Sequence, residues 1–221
     1  MPRSSRTRDA PRRPHLAAVV AAAAALAPLA SGAQPTDAPR WRANFSTAEA
    51  KRLDSGEVLT RFWRAGTAGA GWAVGVIDAP PEKVFRVVAD VERYKEFMYR
   101  MVQSRIEGRS GSVYHFYYKI DMPWPLSDYW CVTRNVHELD RVRRIYARRW
   151  TLLSGTFHRN EGSWVVRPWG KARSLLLYAV VLLPRTAAPT ALVNYGTRVA
   201  LPRSVRQFRE RVEKLIKTGR L

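Results

Sequence analysis

Residues 78–98, DAPPEKVFRVVADVERYKEFM, decide how the rest of the chain is read. Asp78 or Ala79 closes a strand, and Pro80 and Pro81 sit where proline is tolerated, at the start of a helix. Val84, Phe85, Val88 and Val91 then recur at helical spacing, which predicts one apolar face. Asp90 begins a second short helix, with Tyr94 and Phe97 turned inward. On the N-terminal side, Glu57–Trp63 and Trp72–Ile77 read as two strands separated by Gly66, Gly69 and Gly71, hence a hairpin. Before them, Thr47–Ser55 reads as a short helix. Ser46 at the N-cap and Glu49 three residues on form a capping box.

On the C-terminal side the period changes to two. Met101–Glu107, Ser112–Met122, Tyr129–Glu138, Val142–Leu152, Gly162–Trp169 and Arg173–Leu183 read as six strands. Short turns between them predict an antiparallel meander; the longest, Ser154–Asn160, reads as a loop. The chain closes with PTALVNYGTRVALPRSVRQFRERVEKLIK (189–217). Leu192, Val193, Val199, Val205, Phe208, Val212, Leu215 and Ile216 form an apolar stripe. Arg203, Arg206, Arg209, Arg211, Glu213 and Lys217 fall on the opposite face, with Arg209–Glu213 and Glu210–Lys214 as pairs four residues apart. Pro202 is expected to kink this helix, or to divide a short helix from one of about 15 residues. Alone, the stripe describes a surface helix capping a sheet.

The net charge is +20, from 38 Lys and Arg against 18 Asp and Glu. Such a surface favours anionic partners, including phospholipid headgroups. The arginines are scattered through strands instead of forming one block, so a nucleic-acid partner is not expected. A polyanion-binding protein remains as a reading that rests on charge alone. The N-terminus carries Arg3, Arg6, Arg8, Arg12 and Arg13, then an Ala/Val/Leu run from Leu16 to Leu29, then Ser31-Gly32-Ala33. This pattern predicts a signal peptide over 1–33, cut near Ala33, and a periplasmic or secreted product. A retained N-terminal anchor is the alternative. Residues 34–54 read as a leader and the short helix, and 55–217 as one folded domain, expected to be a monomer.

A search for catalytic sets finds none that convinces. His115, His137 and His158 lack metal-ligand spacing, and no metal or cofactor is expected. Cys131 stands alone between Trp130 and Val132 and reads as a small buried residue. A Cys–His dyad with His115 or His137 is conceivable without a supporting signature. Ser127-Asp128 reads as a turn or cap, and Asp128 would need burial to act as an acid or base. The glycines of 66–71 precede a strand, not a helix, and so fail the test for a phosphate loop.

The order of elements, with APPEKVF (79–85) and DVERYKEFM (90–98), is similar to the opening of the START-like superfamily. That superfamily is also known as SRPBCC or Bet v 1-like, and includes polyketide cyclases and coenzyme-Q-binding proteins. PWPLSD (123–128), Gly162-Ser163-Trp164 and PTALVN (189–194) resemble further family segments. The resemblance covers roughly residues 55–217. Many relatives continue the Leu-Ser-Asp loop with Arg-Asp, where this chain has Tyr129-Trp130.

The resemblance implies an α+β helix-grip fold: a curved antiparallel sheet of six to eight strands around a long C-terminal helix, with a short helix pair after the early strand. It also implies an apolar cavity between sheet and helix, and thus a hydrophobic ligand such as a lipid, quinone or polyketide. A basic exterior would allow peripheral contact with an anionic membrane. A cyclase- or aromatase-like enzyme on a polyketide is the alternative and needs a buried acid or base. Phe97, Met101, Tyr117, Tyr146, Arg148, Trp150, Trp164, Leu177, Val205, Phe208 and Val212 are the expected cavity residues, and Pro202 a hinge for opening it. If Val142, Arg144, Tyr146, Arg148, Trp150 and Leu152 form the inner face of their strand, Arg148 must be paired or bind an anionic or carbonyl group. The carrier reading depends on the helix stripe leaving room above the sheet.

Overall fold

In a computed structural model, residues 45–122, 124, 127–185 and 190–221 are described, with side chains of the final helix from 199 onward. The expected signal peptide and the leader through Arg42 lie outside the described residues. So do Pro123, Pro125 and Leu126 of the PWPLSD loop, and the side chains of Leu192 and Val193.

Helix α1 (Thr47–Asp54) opens with the expected capping box: Ser46 Oγ accepts from Glu49 N, and Glu49 Oε2 accepts from Ser46 N. Strands β1 (Leu59–Ala65) and β2 (Ala68–Ile77) form the hairpin. Helix α2 (Pro81–Ala89) has Pro81 at its start and buries Val84, Phe85, Val87 and Val88; a 3-10 helix, Val91–Glu96, follows it. Six more strands complete the sheet: β3 (Met101–Ser110), β4 (Val113–Ile120), β5 (Tyr129–Asp140), β6 (Ile145–Gly155), β7 (Phe157–Trp169) and β8 (Arg173–Pro184). The eight strands are antiparallel neighbours in the order β1-β2-β8-β7-β6-β5-β4-β3. Helix α3 (Thr190–Lys217) runs 28 residues. The sheet curves around α3, which is the helix-grip arrangement.

Three local expectations are corrected. Pro202 lies inside one continuous α3 and does not divide it. Proline removes one backbone donor, and packing on both sides holds the helix together: Leu201 and Val205 are fully buried against β2. The second correction concerns the start of β6. Residues 141–144 are a turn, so Val142 is 95% exposed and does not belong to a strand face. Arg144 adopts φ 56° there, held by a bidentate ion pair from Nε and Nη2 to the Glu82 carboxylate at 2.7 and 2.8 Å. Third, 154–160 is mostly strand. β6 runs to Gly155, and β7 starts at Phe157. Between Trp150 and Gly162 the two strands part, so the end of β6 pairs with β5 and the start of β7 with β8. Gly155, at φ 136°, makes the corner, where a Cβ would lie 2.3 Å from Trp130 O.

The outer face of β1, β2 and β8 is covered by α1. Leu53 packs with Leu59, Val74, Val76, Leu175 and Leu177. Asp54 fastens α1 by accepting from Trp169 Nε1 and pairing with Arg173. The main core lies on the inner face, between the sheet, α2, the 3-10 helix and α3.

Candidate ligand-binding site

The space under α3 divides into two halves. Over β2 the fit is tight because two inward positions are glycines. A Cβ on Gly71 would stand 2.7 Å from Leu201 Cδ1, and one on Gly75 would stand 2.9 Å from Val205 Cγ1. The two helix residues are four apart, so one face of α3 seats in two notches. Arg209 is fixed beside them. Its Nε donates to Val76 O and its Nη1 to Gly56 O. This corrects the expected surface pairing of Arg209 with Glu213.

Over β4–β8 the inner face is aromatic. Phe208, fully buried, stands edge-on to Tyr94 and Phe97, with centroids 5.3 and 5.2 Å away, and meets Trp164 at 4.5 Å. Trp164 stacks on Tyr178 at 4.1 Å. Within these rings lies a polar set that an apolar core does not need. Arg148, on β6, is 5% exposed. Its guanidinium carbon sits over the rings of Tyr94, Trp150 and Phe116 at 5.1, 5.3 and 5.7 Å. The charge of Arg148 acts on Tyr114, and among the described residues Arg148 Nε and Nη1 have no hydrogen-bond partner. The Tyr114 hydroxyl and His137 Nε2 are hydrogen-bonded at 3.1 Å. Burial, together with the charges of Arg148 and Arg109, pushes His137 down to about 4. It is therefore neutral in this setting.

Two asparagines complete the set. Asn160, on β7, ties in three other strands: its Oδ1 accepts from Trp150 Nε1, and its Nδ2 donates to Tyr118 Oη and, at 3.4 Å, to Cys131 Sγ. Asn135 donates to Thr133, but its Oδ1 has no donor. Asn135 opposes Trp150 in the register, and His137 opposes Arg148, so the unmatched acceptor and the unmatched donors are diagonal neighbours on one face. A buried polar atom without a partner costs about 1–3 kcal/mol, and a charged one more.

Among the expected cavity residues, Tyr146, Arg148, Trp150, Trp164, Phe208 and Val212 share this inner core, and Phe97 and Met101 pack at its edge. Val205 is committed to the Gly75 notch. Two assignments are corrected. Tyr117 lies on the outer face of β4, under the Arg105 guanidinium at 3.7 Å and against Trp130. Its neighbours Tyr114, Phe116 and Tyr118 point inward instead. Leu177 packs with Leu53 on the outer face, and Leu176, Tyr178 and Val180 take the inner positions of β8. Burial in alternating order along β4 carries the signal that finds Tyr114 and Phe116. Asn135 and Asn160 had no such signal, because a lone asparagine in a strand reads as surface.

The Cys–His dyad does not form. His115 is exposed, His137 is engaged with Tyr114, and burial pushes the Cys131 thiol up to about 12. Asp128 caps its loop, accepting from Met122 N and pairing with Lys119. Among the described residues, no cluster of His, Cys, Asp and Glu could hold a metal, and no helix is long and apolar enough to cross a membrane.

A separate open depression of about 470 Å³ lies between α2, the 3-10 helix and the end of α3. Its floor is Val87, Phe97, Leu215 and Leu221, and its rim carries Arg86, Arg93, Arg211 and Arg220. Phe97 belongs to both this depression and the aromatic cluster under Phe208.

The profile of the polyketide cyclase / dehydrase and lipid transport family matches residues 77–209. The chain belongs to this family. The match begins at the end of β2 and runs through α2, β3–β8 and most of α3, so it takes in the aromatic half of the interior and the part of α3 that carries Leu201 and Val205. Known structures share the fold of this family member. A STAR-related lipid transfer protein from Xanthomonas axonopodis superposes with TM-score 0.62 at 15% identity, covering 71% of this chain and 93% of that one. The lipid transfer and protein localization domain of human StarD13 gives 0.61 at 15%, covering 70% and 83%. The Zhui aromatase/cyclase from Streptomyces sp. R1128 gives 0.54 at 17%, covering 72% and 96%. No curated protein matches the sequence. Membership suggests hydrophobic-ligand binding or a cyclase-like role.

Proposed function

We propose that this protein binds one hydrophobic small molecule, a lipid, quinone or polyketide, between α3 and the inner face of β4–β8, and transfers it between surfaces. The observation that carries the reading is the set of unmatched polar atoms under Phe208: Arg148 Nε and Nη1, and Asn135 Oδ1. A core evolved only for packing would fill these positions with apolar residues, since each unmatched group destabilises the fold. A site kept for a ligand tolerates them. Two of the similar structures are described as lipid transfer proteins, which agrees with a carrier.

Phe208 and Phe97 occupy the space above the polar set, so uptake requires them to move. Pro202, with one helix hydrogen bond missing beside it, is the proposed place for α3 to yield. The basic exterior would hold the protein at an anionic membrane surface, where the ligand could be exchanged without crossing water. The N-terminal pattern supports an exported protein, cut near Ala33, that would do this work outside the cytoplasm. Delipidated protein offered a mixed lipid and quinone extract, then analysed by native mass spectrometry, should emerge with one bound apolar molecule. Protein that takes up nothing from such extracts would refute the carrier reading.

A cyclase-like reading is kept alive by a single feature, the half-buried Tyr114–His137 couple near Arg148. It predicts that Tyr114→Phe abolishes turnover of a poly-β-ketone without loss of its binding.

A further inference from the structure

Among the described residues, Arg148 is a cation without an anion. The groups that face it from each neighbouring element are Tyr94 from the 3-10 helix, Tyr114 and Phe116 from β4, His137 from β5, Trp150 on β6 itself, and Tyr178 from β8. None is an acid. Burial raises Tyr94 and Tyr178, the latter to about 12, so neither phenol ionises to serve as counter-ion. His137 is neutral and hydrogen-bonded to Tyr114. Arginine itself does not give up its proton in proteins. Other arginines of this chain show what is missing. Arg144 is met by Glu82, and Arg211 by Glu96, both nearer the surface. Arg148 lies deeper, where desolvation is more expensive, and among the described residues it has no carboxylate partner.

The free hydrogens give a second, independent indication. Nε carries one and the Nη1 amino group two, and both nitrogens lack partners. A single ketone or ester carbonyl would satisfy part of this and leave the charge. An oxyanion answers the charge and accepts a charge-assisted hydrogen bond, about twice the usual strength, from one of these nitrogens. The walls of the site are rings, so only the head of the molecule is polar.

We infer that Arg148 receives the acidic group of the ligand, so that the molecule carried is an anionic amphipath held with its head inward and its tail under Phe208. The inference rests on the carrier reading and narrows it to acids. It makes neutral sterols, quinones and esters poor ligands. It also explains why the cation is tolerated, since the protein is balanced only when loaded.

The test compares one fluorescent probe in two forms, cis-parinaric acid and its methyl ester, on delipidated protein, wild type and Arg148→Met. The acid should bind wild type about 10-fold tighter than the ester or better, as a charged hydrogen bond requires. Arg148→Met should lose that preference while binding the ester as before. It should also melt higher than wild type without ligand, and gain nothing in melting temperature from the acid. Equal affinity of wild type for acid and ester would overturn the inference and leave the carrier reading intact. Binding of neither form would overturn both. If Arg148→Met does not fold, the wild-type comparison alone decides. Competition then distinguishes the acids: displacement of the probe by dodecanoate but not dodecyl phosphate assigns a carboxylate, and the reverse a phosphate. Displacement by dodecanol as effective as by either acid counts against any acidic head.

Discussion

The two halves of the interior are built on opposite plans. Over β2, small meets large: Gly71 and Gly75 accept Leu201 and Val205, with Arg209 tied to backbone carbonyls beside them. Over β4–β8, large meets large, and Arg148, Asn135 and Asn160 are buried among the rings, with His137 half-buried beside them. The first half anchors α3; the second gives it something to cover. A helix fixed at one side and resting on exchangeable aromatic contacts at the other can open over one half of the sheet without leaving the other half.

The sharpest way to break this contrast is to empty the aromatic half. Phe208→Ala should destabilise the protein by about 3–5 kcal/mol, measured by urea denaturation, since the ring is fully buried. Its second signature should be easier uptake of the parinaric probe, because the plug is gone. Filling the notched half acts differently. Gly75→Ala brings a methyl group to 2.9 Å from Val205 and 3.1 Å from the Arg209 guanidinium. It should cost about 1–3 kcal/mol and leave the acid-over-ester preference unchanged. If Gly75→Ala altered ligand preference as strongly as Phe208→Ala, the division into anchor and site would be wrong. Arg148→Met should go the other way, raising ligand-free stability by about 1–4 kcal/mol, as replacement of buried ionic groups often does.

The contrast also has a pH signature. His137 titrates near 4 in the folded protein, below its ordinary value near 6.5, because burial disfavours its charged form. Its contribution is therefore complete above pH 6.5 and is lost as pH falls from 6.5 toward 4, where the unfolded chain binds the proton more readily. Urea midpoints should fall across that window, and His137→Asn should flatten the fall. Glu82 behaves alike at lower pH. Its hydrogen bonds from Arg144 hold it at about 2, so its share is present above about 4.5 and declines toward 2. The pair is partly exposed, so screening limits it to less than about 1 kcal/mol. Glu82→Gln should show the smallest effect of the series.

The legible parts of the fold were those with local causes. The Ser46–Glu49 box, Pro80-Pro81 before a helix and the alternation from Met101 onward each act within a few residues, and the structure has them where they were expected. Arg148 was legible too, because Tyr146 and Trp150 flank it at the same parity. The illegible parts depend on partners distant in sequence. Tyr117 sits in a run of three aromatics, and only pairing with β5 decides which of them face in. Leu177 lies in an unbroken apolar run buried on both faces, one by α1 and one by α3, so alternation gives no warning. Arg209 reads as a surface residue until β2 places the Val76 carbonyl beside it.

The central claim is that the aromatic half is a ligand site. Native mass spectrometry of the protein purified from its own host, without delipidation, tests it most directly. The account predicts one bound apolar molecule bearing an acidic group, absent from Arg148→Met prepared in the same way. Wild-type protein that carries no small molecule from its host, and takes up none when offered, would contradict it.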